Sequence, residues 1–418
     1  MSLVFHWFLP TSGDGRAIVG RGHSVPLEDQ VPVTGSPGGG RGPGDHGSAW
    51  SAARPPDIEY LAQVARAAEQ LGFTGVLTPT GTWCEDAWLV TAALIRETQR
   101  LKYLVAFRPG YTSPTLAAQM AATYQRISRG RLLLNVVTGG ESAEQRRFGD
   151  HLSHDERYAR TGEFLDVVRG AWSGPPYDFT GQYYEVSGAT VMAPPEPIPQ
   201  VYFGGSSPAA GPVAARYVDV YLTWGEPPAQ VAEKIAWMRG LAREAGRTLR
   251  FGIRLHVITR DTAKDAWAEA ARMLDSIAPS EIARSQQALA RSESVGQRRM
   301  RELHETYRSG GGADGLEIYP NLWAGIGLVR GGAGTALVGS HEQVADRIEE
   351  YAALGIEEFI FSGYPHLEEA YWFGEGVLPE LRRRGVVRLA GADAALVGAP
   401  AAASPAAAAE RSPALSPS

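Results

Sequence analysis

Leu3-Val-Phe-His-Trp-Phe-Leu9, running straight into Pro10-Thr-Ser-Gly-Asp-Gly-Arg16, is the stretch on which the choice of fold turns. Its first seven residues are apolar and aromatic apart from His6, as a buried strand requires. Its continuation carries glycines, which an open doubly wound sheet uses after its first strand to hold a phosphate at a helix N-terminus. That use demands that the chain enter a helix at once. Here it runs instead towards Gly35-Ser-Pro-Gly-Gly-Gly-Arg-Gly-Pro-Gly44, which opens no helix. The segment is weak evidence for a nucleotide turn, and it favours the other parallel architecture, a closed barrel.

Working outward, seven more short runs read as strands: Gly75–Pro79, Tyr103–Arg108, Leu132–Thr138, Gln200–Gly204, Val218–Trp224, Phe251–Ile258 and Glu357–Ser362. Helical patterns separate them. In Asp57–Leu71 the residues Ile58, Leu61, Val64, Ala65, Ala68 and Leu71 form one apolar stripe, stopped by Gly72. Others span Glu85–Arg100, Pro114–Arg129, Asp155–Trp172, Pro228–Ala245, Ala263–Ile277 and His341–Leu354. The alternation predicts an α/β fold, a (β/α)8 TIM barrel with insertions after strand 1 and between strands 7 and 8. Residues 1–390 read as one domain, with a Gly-rich insertion at 16–54 and a lid-like insertion at 280–335. Loops after strands lie on the active-site face of a barrel, so both insertions are placed to cover it. Residues 391–418, rich in Ala and Pro, read as a disordered tail.

Composition narrows the function. Lys and Arg number 40 against 46 Asp and Glu, a net charge of −6, which gives no long-range attraction for nucleic acid or anionic lipid. A negatively charged substrate then needs a local basic pocket. Cys84 is the only cysteine, so no internal disulfide forms, and a reducing cytoplasm is expected. No basic n-region or span-length apolar run begins the sequence, and no export or membrane partner is expected.

Strand seven, Phe251-Gly-Ile-Arg-Leu-His-Val-Ile258, carries the sharpest chemical signal. Period-two alternation sends Ile253, Leu255 and Val257 outward and turns Arg254 and His256 into the barrel, His256 nearer the mouth. A buried guanidinium needs a carboxylate or a bound anion. Nothing acidic shares its register, so either a distant salt bridge or a ligand supplies the partner. Arg330 sits in the glycine-dense Gly327-Leu-Val-Arg-Gly-Gly-Ala-Gly334, as a ligand contact or as an exposed loop residue. Tyr364 and His366 follow strand eight at the functional rim, where capping and packing are the plain alternatives. Cys84 follows strand two without a local base, so it reads as a pocket residue rather than a nucleophile. Asn135-Val-Val-Thr-Gly-Gly140 and Tyr202-Phe-Gly-Gly-Ser-Ser207 end strands four and five. The second offers an anion site in Gly205, Ser206, Ser207 and free amides, or an N-cap alone. No metal-ligand spacing and no nucleophile elbow is present, so no metal is expected.

These stretches, with Cys84-Glu-Asp-Ala-Trp88, His154–Tyr158, Tyr221-Leu-Thr-Trp-Gly-Glu-Pro-Pro228, Asn321-Leu-Trp-Ala-Gly325 and Ser362–Tyr371, closely resemble the two-component alkanesulfonate monooxygenases of the bacterial-luciferase-like superfamily. The likeness covers about residues 1–11 and 55–385. It implies a cytoplasmic flavoprotein of sulfur metabolism. Such an enzyme takes FMNH2 from a separate NAD(P)H:FMN reductase and, with O2, cleaves an alkanesulfonate to aldehyde and sulfite. The same resemblance implies that Ser206, Ser207 and Tyr158 hold the FMN phosphate while Asn135 and Thr138 line the flavin. Arg254, Arg330, Trp224, His256, Tyr364 and His366 are then expected around the sulfonate, with Cys84 nearby and either Arg254 or His256 taking the α-proton. A homo-oligomer, dimer or tetramer, is also implied. Ser12 stands where the family has a histidine, and Thr82-Trp83 where it has Arg-Ser, which leaves chain length or even sulfonate preference open. Rival readings are a methanesulfonate-specific or sulfone monooxygenase, a deazaflavin hydride-transfer enzyme and a non-catalytic flavin-binding protein.

Overall fold

The computed structural model describes residues 3–18, 54–305, 307 and 312–386. Most of the Gly-rich insertion and the whole tail from 391 therefore lie outside the described residues. Eight parallel strands close into a barrel: β1 (Val4–Phe8), β2 (Gly75–Thr78), β3 (Lys102–Phe107), β4 (Leu132–Val136), β5 (Val201–Phe203), β6 (Val220–Trp224), β7 (Arg250–Arg260) and β8 (Ile356–Ser362). Closure is made where β8 pairs with β1, Val4 opposite Glu358 and His6 opposite Ile360. All eight strands stand where periodicity put them, and helices surround them.

Local chemistry fixes the element ends. The helix Ile58–Leu71 starts on the Asp57 carboxylate, which accepts the Tyr60 N–H, and stops at left-handed Gly72. The helix His154–Ala171 carries a full capping box between Ser153 and Glu156. The expected helix over 85–100 is shorter, Ala87–Leu94 with a 3-10 turn to Glu97. Tyr103 Oη donates to the Leu94 carbonyl at 2.7 Å and Arg131 Nη2 to that of Ile95 at 2.6 Å. Side chains thus take the carbonyls that another helical turn would use.

Alternation places Ile253, Leu255 and Val257 in the large core between strands and helices. The barrel interior is plugged by Phe8, Leu77, Leu104, Leu133, Tyr202, Val220, Leu222 and Ile360. Below the plug Glu358 accepts from His6 Nε2 at 3.0 Å and Tyr202 Oη at 2.8 Å and pairs with Arg250. Burial acts to raise this carboxyl, but His6, Arg250 and Tyr202 together hold it below its ordinary value. The lower end of the barrel is closed, so chemistry belongs to the upper end.

The second insertion extends the sheet there. β7 is eleven residues long, and its far half pairs in parallel with Ala336–Ser340, which pairs antiparallel with Leu322–Trp323. Thr335 ties this layer to the rim: its carbonyl accepts His256 N–H at 2.8 Å and its hydroxyl donates to Gly225 at 2.6 Å. The helices Pro279–Leu289 and Val295–Glu302 complete the insertion. Arg299 forks onto the fully buried Glu226 carboxylate at 2.7 and 2.9 Å, fixing the second helix against the β6 loop.

Candidate active site

The C-terminal ends of β3 to β8 open into a cavity of about 1140 Å³, counted out to its mouth. Its walls gather every residue expected at the cofactor: Asn135 and Thr138 after β4, Tyr158 on the following helix, and Gly205, Ser206 and Ser207 after β5. Trp224 and Arg254 also line it, and Ser292, Ser294, Val295, Gln297 and Gly332 of the second insertion form its roof. That roof is stitched down: Glu293 N–H donates to Gly140 at 3.0 Å and Gly332 N–H to Gln297 Oε1 at 2.9 Å.

The β5 turn is shaped by what glycine leaves out. A Cβ at Gly205 would lie 2.6 Å from Ala210 Cβ and 2.8 Å from the Phe203 ring. Ser207 Oγ accepts the Ala210 N–H at 3.2 Å, so one serine caps the turn; the Ser206 hydroxyl lies 3.4 Å from Tyr221 Oη. The helix Ala210–Tyr217 itself starts at Ala209 without a side-chain cap, so the Ser207 hydroxyl closes the turn before it. Thr138 Oγ1 is buried and has no hydrogen-bond partner among the described residues. A buried hydroxyl is rarely left so unless something else meets it. Burial raises the Tyr158 phenol, so it is neutral near pH 7.

Deeper in, Arg254 is 6% exposed and Arg330 8%, so the exposed-loop alternative for Arg330 falls away. Neither is paired with a carboxylate among the described residues. Arg254 donates to Ser362 Oγ at 2.8 Å and to the Leu255 carbonyl. Arg330 Nη1 lies 3.2 Å from His256 Nε2. Both guanidinium carbons sit over the Phe8 ring, 4.9 and 5.6 Å from its centroid. A ring face compensates a cation only in part. Burial, then the neighbouring Arg330 charge, pushes Arg254 down to about 9. The same burial and the two arginines hold His256 well below its ordinary value, so it is neutral near pH 7.

Tyr364 stacks on His256, centroids 5.5 Å apart. His366 meets Tyr364 edge-on at 5.1 Å, but its Nδ1 and backbone N–H are held by Asp14 at 2.9 and 2.8 Å. His366 Nε2 is buried and without a hydrogen-bond partner among the described residues. Arg330, His256, Tyr364 and His366 thus form a layer behind Arg254 rather than part of the cavity wall. Cys84 stands apart from that wall as well. Its Sγ lies 3.6 Å from the Gly81 carbonyl, and burial pushes the thiol up to about 12, so it stays protonated. The expectation of Cys84 as a residue of the pocket is not met, since it is not among the residues lining the cavity.

Sequence reasoning missed three site residues. Phe8 carries both cations, and alternation along β1 would have turned it inward. Ser362 joins Arg254 to His256, a link visible only across strands. Glu141, on the cavity wall, is pushed up to about 7 by burial and by Glu144, which pairs with buried Arg108 at 2.6 Å. No group of three or more His, Cys, Asp or Glu among the described residues is arranged to hold a metal. No helix among them is long and apolar enough to cross a membrane.

A family model described as luciferase-like monooxygenase matches residues 38–358. Similar solved structures include a riboflavin lyase with modified FMN and riboflavin, at TM-score 0.71 and 20% identity over 93% of each chain. EDTA monooxygenase from Chelativorans sp. BNC1 aligns at TM-score 0.69 and 18% identity, covering 93% of this chain and 95% of that one. DmoA from Hyphomicrobium sulfonivorans follows at 0.66 and 20%, over 79% and 83%. At such identities these structures share the fold.

Proposed function

The chain belongs to the luciferase-like monooxygenase family, and from that membership and the site geometry we propose that it is a flavin-dependent monooxygenase cleaving the C–S bond of alkanesulfonates. The observation carrying this reading is the pair of buried guanidinium groups, Arg254 and Arg330, with no carboxylate beside them among the described residues. Two such cations match a sulfonate, whose oxygens accept charge-assisted, bidentate hydrogen bonds. Burial strengthens those bonds, and the bonds in turn offset the desolvation of the anion.

The cavity wall fits FMN. Ser206, the amides around Gly205 and Ser207, and Tyr158 would hold its phosphate, and Asn135 with the unpartnered Thr138 hydroxyl would meet its ring system. FMN, reduced by a separate NAD(P)H-dependent enzyme, supplies the electrons that take one oxygen atom of O2 to water. The balance is R–CH2–SO3⁻ + FMNH2 + O2 giving R–CHO + SO3²⁻ + FMN + H2O + H⁺. Arg254, on the cavity wall, would orient the sulfonate, and the Arg330 charge behind it would help hold the charge of the departing sulfite. Trp224 walls the carbon chain. The α-proton passes to neutral His256, or to Arg254 in the minor fraction whose guanidinium is deprotonated near pH 7. The roof helix Val295–Glu302 would limit the access of water to the bound substrate.

Sulfite measured with methane-, ethane- and octanesulfonate, a generic flavin reductase, FMN and NADH tests the reading. Sulfite and aldehyde in equal amounts are expected; release from methanesulfonate alone narrows the substrate class. O2 uptake indifferent to every sulfonate, with no sulfite, overturns it. The cofactor assignment has its own test. Thr138→Val, which removes a hydroxyl without a protein partner, is expected to weaken FMN binding about fivefold, or ~1 kcal/mol, and to leave the melting temperature unchanged or higher. Flavin fluorescence quenching and a thermal melt measure the two.

A further inference from the structure

Ser362 is fully buried at the last position of β8, in register opposite His256 on β7. Its Oγ lies 2.8 Å from Arg254 Nη2 and 2.7 Å from His256 Nδ1. A hydroxyl has one proton to give and lone pairs to receive, while a guanidinium can only donate. Ser362 therefore accepts from Arg254, and its proton is free to go to His256 Nδ1. His256 then carries its proton on Nε2, which has the Ala333 carbonyl at 3.1 Å as acceptor. One continuous chain results: Arg254 N–H to Ser362 Oγ, Ser362 O–H to His256 Nδ1, His256 Nε2–H to Ala333. The opposite tautomer would let Nε2 accept from Arg330 Nη1 at 3.2 Å, but would leave the Ser362 proton without an acceptor among the described residues.

We propose that Ser362 is the positioning residue of the site, locking the orientation of the Arg254 guanidinium and the tautomer of His256 with a single hydroxyl. The inference deepens the sulfonate reading and rests on it only in its kinetic arms. The groups facing this hydroxyl's partners are Arg330 from the insertion, Tyr364 stacked on His256, and His366 behind Tyr364 on the Asp14 carboxylate. The remaining polar neighbours are backbone carbonyls, those of Ala333, Leu255 and Ile360, and the Phe8 ring lies under both arginines. Ser362 does not line the cavity wall, so its loss should spare the flavin.

In the wild-type protein, histidine-selective 15N spectra are expected to give His256 as the Nε2–H tautomer. An Nδ1–H tautomer overturns the proposal whatever the substrate is. Ser362→Ala is expected to lower kcat for an alkanesulfonate 10- to 100-fold, with FMN affinity held within twofold. It should also move the alkaline limb of the pH profile to lower pH, because the charged guanidinium loses an acceptor. Ser362→Thr, which keeps the hydroxyl, should recover turnover to within a few-fold of wild type. Wild-type kcat and an unmoved alkaline limb in Ser362→Ala contradict the proposal, as does a threonine variant no better than alanine with FMN affinity intact. Absence of sulfite from the wild type instead removes the sulfonate reading and leaves the tautomer result to decide this one.

Discussion

Replacing Arg254 with methionine is expected to lower kcat/KM for an alkanesulfonate by about 10³-fold while the protein melts at the same or a higher temperature. Loss of one partner from a buried, hydrogen-bonded charge pair costs on the order of 4 kcal/mol, which is that factor in rate. The stability half follows from linkage. The folded-state pKa of Arg254 is pushed down to about 9, well below that of an ordinary arginine. A base with a depressed pKa destabilises the fold fully below its folded pKa, and the penalty fades as pH rises through about 9 towards the value of an ordinary arginine. At neutral pH the whole penalty is present, and methionine, of similar length, removes it. Steady-state sulfite release and calorimetry check the two halves. A variant that loses both activity and stability would mark Arg254 as a structural residue.

Arg330→Ala is expected to lower kcat/KM by about 10²-fold, chiefly through KM. Arg330 reaches the site from the insertion, held by the rim through Thr335 and by the Gln297–Gly332 bond. The alanine loses one arm of the anion clamp and the packing over Phe8, but β7 and Arg254 keep their places. Because both cations meet one ligand, the double variant should be little worse than Arg254→Met alone, a failure of additivity that a double-mutant cycle reads directly. Fully additive losses would place the two arginines in separate tasks. Wild-type kinetics in Arg330→Ala would leave the clamp with one arm and discard the second.

How much of this was legible in the sequence follows from the range of the signals. Strand positions rest on local composition and period, and all eight appeared. Period two also turned Arg254 and His256 inward, because register along one strand needs no knowledge of its neighbours. The added strands Leu322–Trp323 and Ala336–Ser340 were not foreseen: the first is two residues long, and the second earns its place only by lying along the far half of β7. Likewise the exposed hairpin of Tyr177–Thr180 and Glu185–Ala189 buries too little for alternation to show. The link of His366 to Asp14 spans 352 positions, and no spacing argument reaches that far. Ser362 was visible only as the end of a strand, since its two partners lie on β7. The cofactor wall came from family resemblance rather than from physics; a Gly-Gly-Ser-Ser turn alone does not distinguish a phosphate site from a cap.

On the reading proposed above, two buried arginines place a sulfonate where reduced flavin and O2 can break its C–S bond. Single-turnover mixing tests it most directly: the protein, with anaerobically reduced FMN and octanesulfonate, is mixed with O2-saturated buffer and the sulfite is titrated. Sulfite approaching one equivalent per bound flavin is expected in the wild type, and almost none in Arg254→Met. Flavin that reoxidises in the wild type without releasing sulfite, at a rate untouched by sulfonate, would contradict it.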